Sequence, residues 1–423
     1  MEKFRIFGGR SLSGTVQISG AKNAALPCLA ATLLTREPVQ LLGLPRVRDV
    51  LTMEKVLAVL SEHVTHYQGK TVVIMGEANN TVAPYELVRT MRASVLVLGP
   101  LLAARRKARV ALPGGCAIGA RPIDFHLEAL AKLGAEICLE RGDVVAEAPF
   151  GLKGREITFP RITVTGTENL LMAATLARGK TVLKNCAKEP EVVNLAQMLT
   201  SMGAQIFGAG TEVIEVEGTS ELGGCQHRII ADRIEAGTYL MVALLVGQGV
   251  EVRGCVPAHL QVVVDLLLAA GAKLEVHEDS IRIPPQEGSL SGFHVLTQEY
   301  PGFPTDLQAQ AVALATQASG QSVVEETIFE NRFQHVLELK RLGANIKVEG
   351  RRATIFGPAP LQGTTVMASD LRASAALVLA ALVAEGETIV DRIYHLDRGY
   401  EAMEVKLQAL GASIERFNPG PFM

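Results

Sequence analysis

Phe125-His126-Leu127-Glu128-Ala129-Leu130-Ala131-Lys132-Leu133-Gly134-Ala135-Glu136-Ile137-Cys138-Leu139 reads as an amphipathic helix, a glycine just past its end and a short strand. Glycine at that place fits a left-handed helix cap, because it has no Cβ to penalise a positive φ. The pattern Leu/Met/Ala-Gly-Ala-x-hydrophobic returns at Met202-Gly203-Ala204, Ala270-Gly271-Ala272, Leu342-Gly343-Ala344 and Leu410-Gly411-Ala412. A degenerate copy without the glycine is Leu60-Ser61-Glu62-His63-Val64. The copies stand about 70 residues apart, which marks an internal repeat. Between these marks, Ala30–Leu42, Pro100–Leu112, Ala173–Lys184, Val242–Arg253, Leu314–Glu325 and Ala380–Arg392 each read as an alanine-rich helix end, a short turn and a β-branched strand. Such units fill almost the whole chain, each with about two helices and several strands. At 423 residues the chain exceeds what one core usually supports, so two sets of three units are expected.

Composition narrows the class. Hydrophobic residues make up 48% of the chain, the net charge is -3, tryptophan is absent and aromatics are 4%, so aliphatic side chains must build the core of a soluble globular protein. There is no global basic excess to suggest a nucleic-acid partner. Met1-Glu2-Lys3-Phe4-Arg5 lacks the apolar stretch of a signal peptide, and the longest apolar runs, Ala93–Ala104 and Ala373–Ala384, are too short to cross a bilayer. Cysteines 28, 116, 138, 186, 225 and 255 form no CxxC pair, which reads as free thiols in a reducing cytoplasm. No metal-ligand cluster stands out, and neither metal nor cofactor is expected.

The candidate chemistry lies in loops and at helix starts. Pro113-Gly114-Gly115-Cys116-Ala117-Ile118-Gly119-Ala120-Arg121-Pro122-Ile123-Asp124 puts one thiol in a glycine-rich loop and follows it with a cation, a carboxylate and His126. A thiol there can act as nucleophile or acid if cations lower its pKa, or it can be an inert buried residue in a turn. Ser19-Gly20-Ala21-Lys22-Asn23-Ala24 sets a lysine at a helix start, where its charge adds to unpaired backbone N–H groups and favours anions. Thr90-Met91-Arg92-Ala93-Ser94 and Asp370-Leu371-Arg372-Ala373-Ser374 are near-copies, each opening a helix with an arginine. Glu330-Asn331-Arg332-Phe333 and Leu396-Asp397-Arg398-Gly399-Tyr400 add arginines beside acidic neighbours, which as bare local ion pairs would contribute little. Phe303-Pro304-Thr305-Asp306-Leu307-Gln308 puts a carboxylate at a helix start, either as a complement to the helix dipole or as a group that takes a substrate proton. Asp232-Arg233-Ile234-Glu235 is a similar acidic–basic helix start.

The motifs SGAKNA (19–24), RTMRAS (89–94), PGGCAIGARPID (113–124), FPTDLQAQ (303–310), FENRF (329–333), SDLRASA (369–375) and DRIYHLDRGYE (391–401) together resemble the enolpyruvyl transferase family, in its bacterial branch acting on UDP-N-acetylglucosamine. The resemblance runs from Phe4 to Arg416. It implies an α/β fold of two similar domains, each of three βαβαββ repeats (an inside-out α/β barrel), with the active site in the interdomain cleft. Carried onto this chain, one domain spans residues 22–230 and bears the cysteine loop; the other takes 1–21 and 231–423. The implied reaction moves the enolpyruvyl group of phosphoenolpyruvate to the 3-hydroxyl of UDP-N-acetylglucosamine and releases phosphate, without a cofactor. By resemblance Cys116 is the acid, the target of fosfomycin, and can attack phosphoenolpyruvate covalently. Asp306 is the base or the orienter of the hydroxyl, and Lys22, Arg121 and Arg398 hold the phosphate with Arg92 and Arg372 nearby. Asn23, the segment Arg121, Pro122, Ile123, Asp124 and Phe125, and Ile328 line the nucleotide-sugar site; Asp370 and Arg332 shape the cleft. Arg161 stands near a segment that contacts substrate in the family. The sister enzymes acting on shikimate 3-phosphate share the repeat but not the GGC loop, and RNA 3′-terminal phosphate cyclases would need a nucleotidylated histidine, His126 or His335, and an RNA track.

Overall fold

Gly134, Gly203, Gly271, Gly343 and Gly411 adopt φ values of 100°, 105°, 95°, 103° and 105° in the computed structural model, which describes residues 1–67, 69–76, 79–89, 91–112 and 123–420. In each copy the following alanine donates its N–H to the carbonyl five residues back, as in Ala135 to Leu130 at 3.1 Å and Ala412 to Leu407 at 3.0 Å. This is the Schellman closure that a glycine past a helix end permits. Ser61, at the glycine's place in the degenerate copy, follows its siblings into the left-handed region with φ 72°. The second turn of the repeat is left-handed as well, at Arg106, Gly179, Gly249, Gly320 and Gly386.

The described residues form six four-stranded sheets built to one plan. One repeat shows it in full: strand Glu156–Thr158, helix Val164–Thr175, strand Lys180–Lys184, helix Pro190–Ser201, then strands Gln205–Phe207 and Val213–Glu217. The first two strands pair parallel, with Ile157 opposite Leu183, and the others join antiparallel, with Leu183 opposite Ile214 and Val216 opposite Ile206. A parallel pair needs a crossover, and the helix supplies it. The expected βαβαββ unit is therefore present. Three sheets borrow a strand from far along the chain. Lys3–Phe7 lies between Glu387–Asp391 and Ser413–Phe417, Leu12–Gln17 runs parallel to Gly247–Arg253, and Cys225–Arg228 runs parallel to Val39–Leu42.

The described residues divide into two compact units, one of Met1–Ser19 with those from Ala231 onward, the other of those between Gly20 and Ile230. Each has its own aliphatic core. The two helices of a repeat differ in character. Helices such as Lys22–Ala31, Gln308–Ala315 and Leu371–Val383 are alanine-rich and buried almost all round, so their small side chains let helices pack closely inside a unit. Helices such as Arg48–Val59, Asp124–Lys132 and Met403–Ala409 bury one face only. No helix among the described residues is long and apolar enough to cross a membrane. Lys22, Asp370 and Arg372 stand where two of the buried helices begin.

Candidate functional site

In the unit from Gly20 to Ile230, Lys22 is the first residue of a buried helix. Only 8% of its surface is exposed, and its Nζ lies 3.3 Å from Asp49 Oδ2, itself buried at the start of Arg48–Val59. Such a carboxylate offsets part of the cost of burying an ammonium. Asn23 follows, half-buried. Arg92 opens the 3-10 segment Arg92–Val97, which runs into the helix Leu98–Arg105, so the expected helix start is a tighter turn first. Ile123 is buried, and Asp124 is exposed in the first turn of Asp124–Lys132. Phe125, half-buried, carries the Arg161 guanidinium over its ring at 4.9 Å, a contact within cation–π range. Cys116, Arg121 and Pro122 lie outside the described residues.

His126 is 3% exposed, and burial followed by the Arg92 charge pulls its pKa down to about 4. Its ring joins Asn169 Nδ2 at 3.0 Å through Nδ1 and Thr165 Oγ1 at 3.3 Å through Nε2. Asn169 also accepts from Gly99 N at 2.7 Å and donates to Val95 O at 3.1 Å, tying two helix starts together. Sequence reading marked His126 as a neighbour of the loop and as a histidine the RNA cyclase alternative would need; Thr165 and Asn169 carried no signal of their own.

In the other unit, Asp306 is the centre. Its Oδ1 accepts from Arg332 Nη2 at 2.8 Å, and its Oδ2 accepts from Arg372 Nε at 3.2 Å and Nη2 at 3.1 Å. It also lies in the first turn of the 3-10 segment Thr305–Leu307, where its charge complements the helix dipole. Arg332 also donates to Thr305 Oγ1 at 2.7 Å, and Thr305 donates to Glu326 Oε2 at 2.7 Å. Glu326 Oε1 in turn accepts from the N–H groups of Ile328 at 2.9 Å and Phe329 at 3.0 Å, fixing the loop that carries Ile328. Arg372 is 2% exposed; burial opposes its charge, but Asp306, Tyr400 and Asp232 together outweigh that and raise its pKa above the ordinary value. Its guanidinium sits 5.3 Å from the Tyr400 ring centre, and the Tyr400 hydroxyl meets Thr238 and Gln310 at 2.8 and 2.9 Å.

Asp370 caps the helix Leu371–Val383, accepting from Arg372 N at 2.8 Å and Ala373 N at 3.0 Å. It thereby holds the backbone from which Arg372 reaches Asp306. Arg398 ends the segment Ile393–Arg398, half-buried. Several charges beside these arginines pair across longer stretches of chain. Asp397 pairs with Arg416 at 2.7 Å, Glu330 with Arg351 at 3.6 Å, and Arg332 with Asp306. Thr305, Glu326, Tyr400 and Gln310 were not picked out by sequence, though all but Glu326 lie in or beside quoted motifs. Among the described residues no group of three or more His, Cys, Asp or Glu could hold a metal ion.

This arrangement can hold a hydroxyl against a fixed carboxylate in one unit, and anions against a buried lysine in the other. The chain matches the family model described as EPSP synthase (3-phosphoshikimate 1-carboxyvinyltransferase) over residues 6–407. A protein of Koribacter versatilis (strain Ellin345) named UDP-N-acetylglucosamine 1-carboxyvinyltransferase is 56% identical over 420 residues, covering 98% of this chain and 96% of that one. A protein of the same name from a Nitratiruptor species is 51% identical over 420 residues, covering 99% and 100%. Among solved structures, the enolpyruvyl transferase NikO from Streptomyces tendae matches with a TM-score of 0.90 at 25% identity over 99% of both chains. An EPSP synthase from Acinetobacter baumannii matches with a TM-score of 0.76 at 18% identity over 99% and 100%, a likeness of fold alone.

Proposed function

The chain belongs to the EPSP synthase family of enolpyruvyl transferases, and from that premise we propose that it moves the enolpyruvyl group of phosphoenolpyruvate to the 3-hydroxyl of UDP-N-acetylglucosamine, releasing phosphate. The observation that carries this reading is the near-full-length identity of 56% to a protein bearing that activity's name. The reaction is the first committed step toward peptidoglycan precursors. It belongs in the cytoplasm, where both substrates are made, and involves no nucleic acid.

The chemistry makes three demands: an acid to protonate the methylene carbon of phosphoenolpyruvate, an acceptor for the hydroxyl that attacks C2, and cations to hold phosphate and carboxylate. Cys116 is assigned as the acid. Its proton goes to C3, the sugar hydroxyl gives its proton to the site's base as its oxygen bonds to C2, and the tetrahedral ketal then returns a proton from C3 to the thiolate as the C2–O bond to phosphate breaks. Asp306 is assigned to the attacking hydroxyl. Both its oxygens already accept from guanidinium N–H groups, which fixes the carboxylate in orientation and suits a group that must hold a hydroxyl in line. Lys22, Arg121 and Arg398 are assigned to the phosphate and Arg92 to the anionic end of the site. Arg372 and Arg332 are turned toward Asp306, so their part in this reading is to position the carboxylate rather than to grip phosphate. Asn23, Ile123, Asp124, Phe125, Pro122 and Ile328 are assigned to the nucleotide sugar. Such preorganised charges commonly supply most of a barrier reduction, with general acid–base help of about 10²–10⁴-fold.

The test is phosphate release from phosphoenolpyruvate that depends on UDP-N-acetylglucosamine, with the enolpyruvyl product weighed by mass spectrometry. A parallel arm replaces the sugar nucleotide with shikimate 3-phosphate. Turnover only in that arm, or in neither, overturns the reading.

A further inference from the structure

The hydrogen bonds around His126 have only one consistent direction. Gly99 N–H can only donate, so the oxygen of the Asn169 amide must face it, at 2.7 Å. Val95 O can only accept, so the Asn169 nitrogen faces it, at 3.1 Å. That same nitrogen stands 3.0 Å from His126 Nδ1, which must therefore accept. An uncharged imidazole that accepts at Nδ1 carries its proton at Nε2. The Nε2–H points at Thr165 Oγ1, 3.3 Å away. Thr165 thus receives a hydrogen from behind, and its own hydroxyl hydrogen is turned away from the ring. Thr165 is half-buried in the first turn of Val164–Thr175, while Phe125 and Arg161 form their stacked pair from the adjoining segments.

We propose that His126 is a positioning residue that turns the Thr165 hydroxyl hydrogen toward an oxygen of the bound nucleotide sugar that carries no hydrogen, a phosphoryl or carbonyl oxygen. The assignment rests on the substrate named above. The backbone groups of Gly99 and Val95 set the polarity of the relay, Asn169 passes it on, and His126 turns it outward through one helix start. Burial of His126 and its neighbour Arg92 keep the ring neutral at pH 7, so the relay does not reverse there. A hydroxyl with no such partner could rotate and accept as readily as donate, and would discriminate less between ligand oxygens.

Calorimetric binding of UDP-N-acetylglucosamine to the intact protein and to Thr165→Val, Thr165→Ser and His126→Gln tests this, together with the KM for phosphoenolpyruvate. Thr165→Val should raise the Kd for the nucleotide sugar about tenfold, as expected for a lost hydrogen bond to a polar or charged oxygen, and leave the phosphoenolpyruvate KM in place. Thr165→Ser should recover most of the loss. His126→Gln should weaken the same Kd and add little in the Thr165→Val background, since both act through one hydroxyl. Nitrogen-15 spectra of the histidines, with His126 identified by its absence from His126→Gln, should show a protonated Nε2 and a bare Nδ1. An unchanged Kd in a folded Thr165→Val, additive losses in the double variant, or a protonated Nδ1 each overturn the proposal. Nucleotide-sugar binding without turnover would instead overturn the proposed reaction alone, and no binding by the unaltered protein would overturn both.

Discussion

Arg372 Nη2 stands 3.1 Å from Asp306 Oδ2, although 66 residues separate them and each begins a different buried helix. Arg332 holds the other oxygen at 2.8 Å. The carboxylate is thus fixed between two guanidiniums that are 5% and 2% exposed, and each depends on it for its counter-charge. Asp306→Asn should lower kcat by about 10²-fold or more, within the range set by loss of a positioned acid–base group. It should also lower the melting temperature, because two buried cations are left facing a neutral amide. Arg372→Lys should show the smaller loss of kcat, keeping charge but not the two-pronged geometry. Steady-state phosphate release with differential scanning calorimetry checks all three effects. Full activity in Asp306→Asn would remove it from the site.

Ser61 occupies a left-handed position, φ 72°, that five sibling repeats give to glycine. Ser61→Gly should therefore stabilise the protein by about 1 kcal/mol, the cost of that conformation for a residue with a Cβ. Gly134→Ala should destabilise by about as much. A Cβ added there meets nothing within 4 Å, so the cost is conformational and not steric. Urea denaturation of the two variants reads both signs.

Acid should unfold the protein partly through His126. Its folded pKa, about 4, lies below its ordinary 6.5, so between those values the unfolded chain takes up a proton that the native state refuses. Stability then falls as pH drops from 6.5 toward 4, by up to about 1.4 kcal/mol per pH unit for one histidine. His335 acts in the same direction: burial lowers its pKa, with Asp370 opposing. The slope of unfolding free energy against pH should flatten by about one proton in His126→Gln. An unchanged slope in that variant would show that the ring is not excluded from protonation in the native state.

Thiol reactivity should be sharply divided. Burial raises the pKa of Cys186 to about 12 and of Cys255 to about 11, and burial, with Glu168 and Cys225 adding to it, raises that of buried Cys28. At pH 7 these three have almost no thiolate and should resist iodoacetamide in the folded state. Cys138 is exposed but is held above its ordinary value, by desolvation first and then Glu140, so it should label slowly. Fosfomycin should add a single mass, on Cys116. Peptide mapping that places the adduct on Cys138 or Cys225 would overturn the assignment of the acid.

Much of this molecule can be read from one dimension. A helix cap needs a residue that tolerates positive φ, and a repeat of such caps is visible as recurring glycines, so a repeat of about seventy residues with helices and strands is legible from local backbone sterics, while its βαβαββ order is implied by the family resemblance. Helix starts bearing Lys22, Arg92, Asp370 and Arg372 are legible for the same reason, because capping and dipole effects act within one turn. Partnership is a different matter. Adjacency put Arg332 beside Glu330, whereas the fold gives Arg332 to Asp306 and Glu330 to Arg351, and joins Asp397 to Arg416. Only packing decides which charges meet, since ion pairs form through space between helices whose separation in sequence is arbitrary. The Gly99–Asn169–His126–Thr165 relay belongs to the same class. Its residues are ordinary in sequence, and its direction exists only because burial leaves each donor a single acceptor.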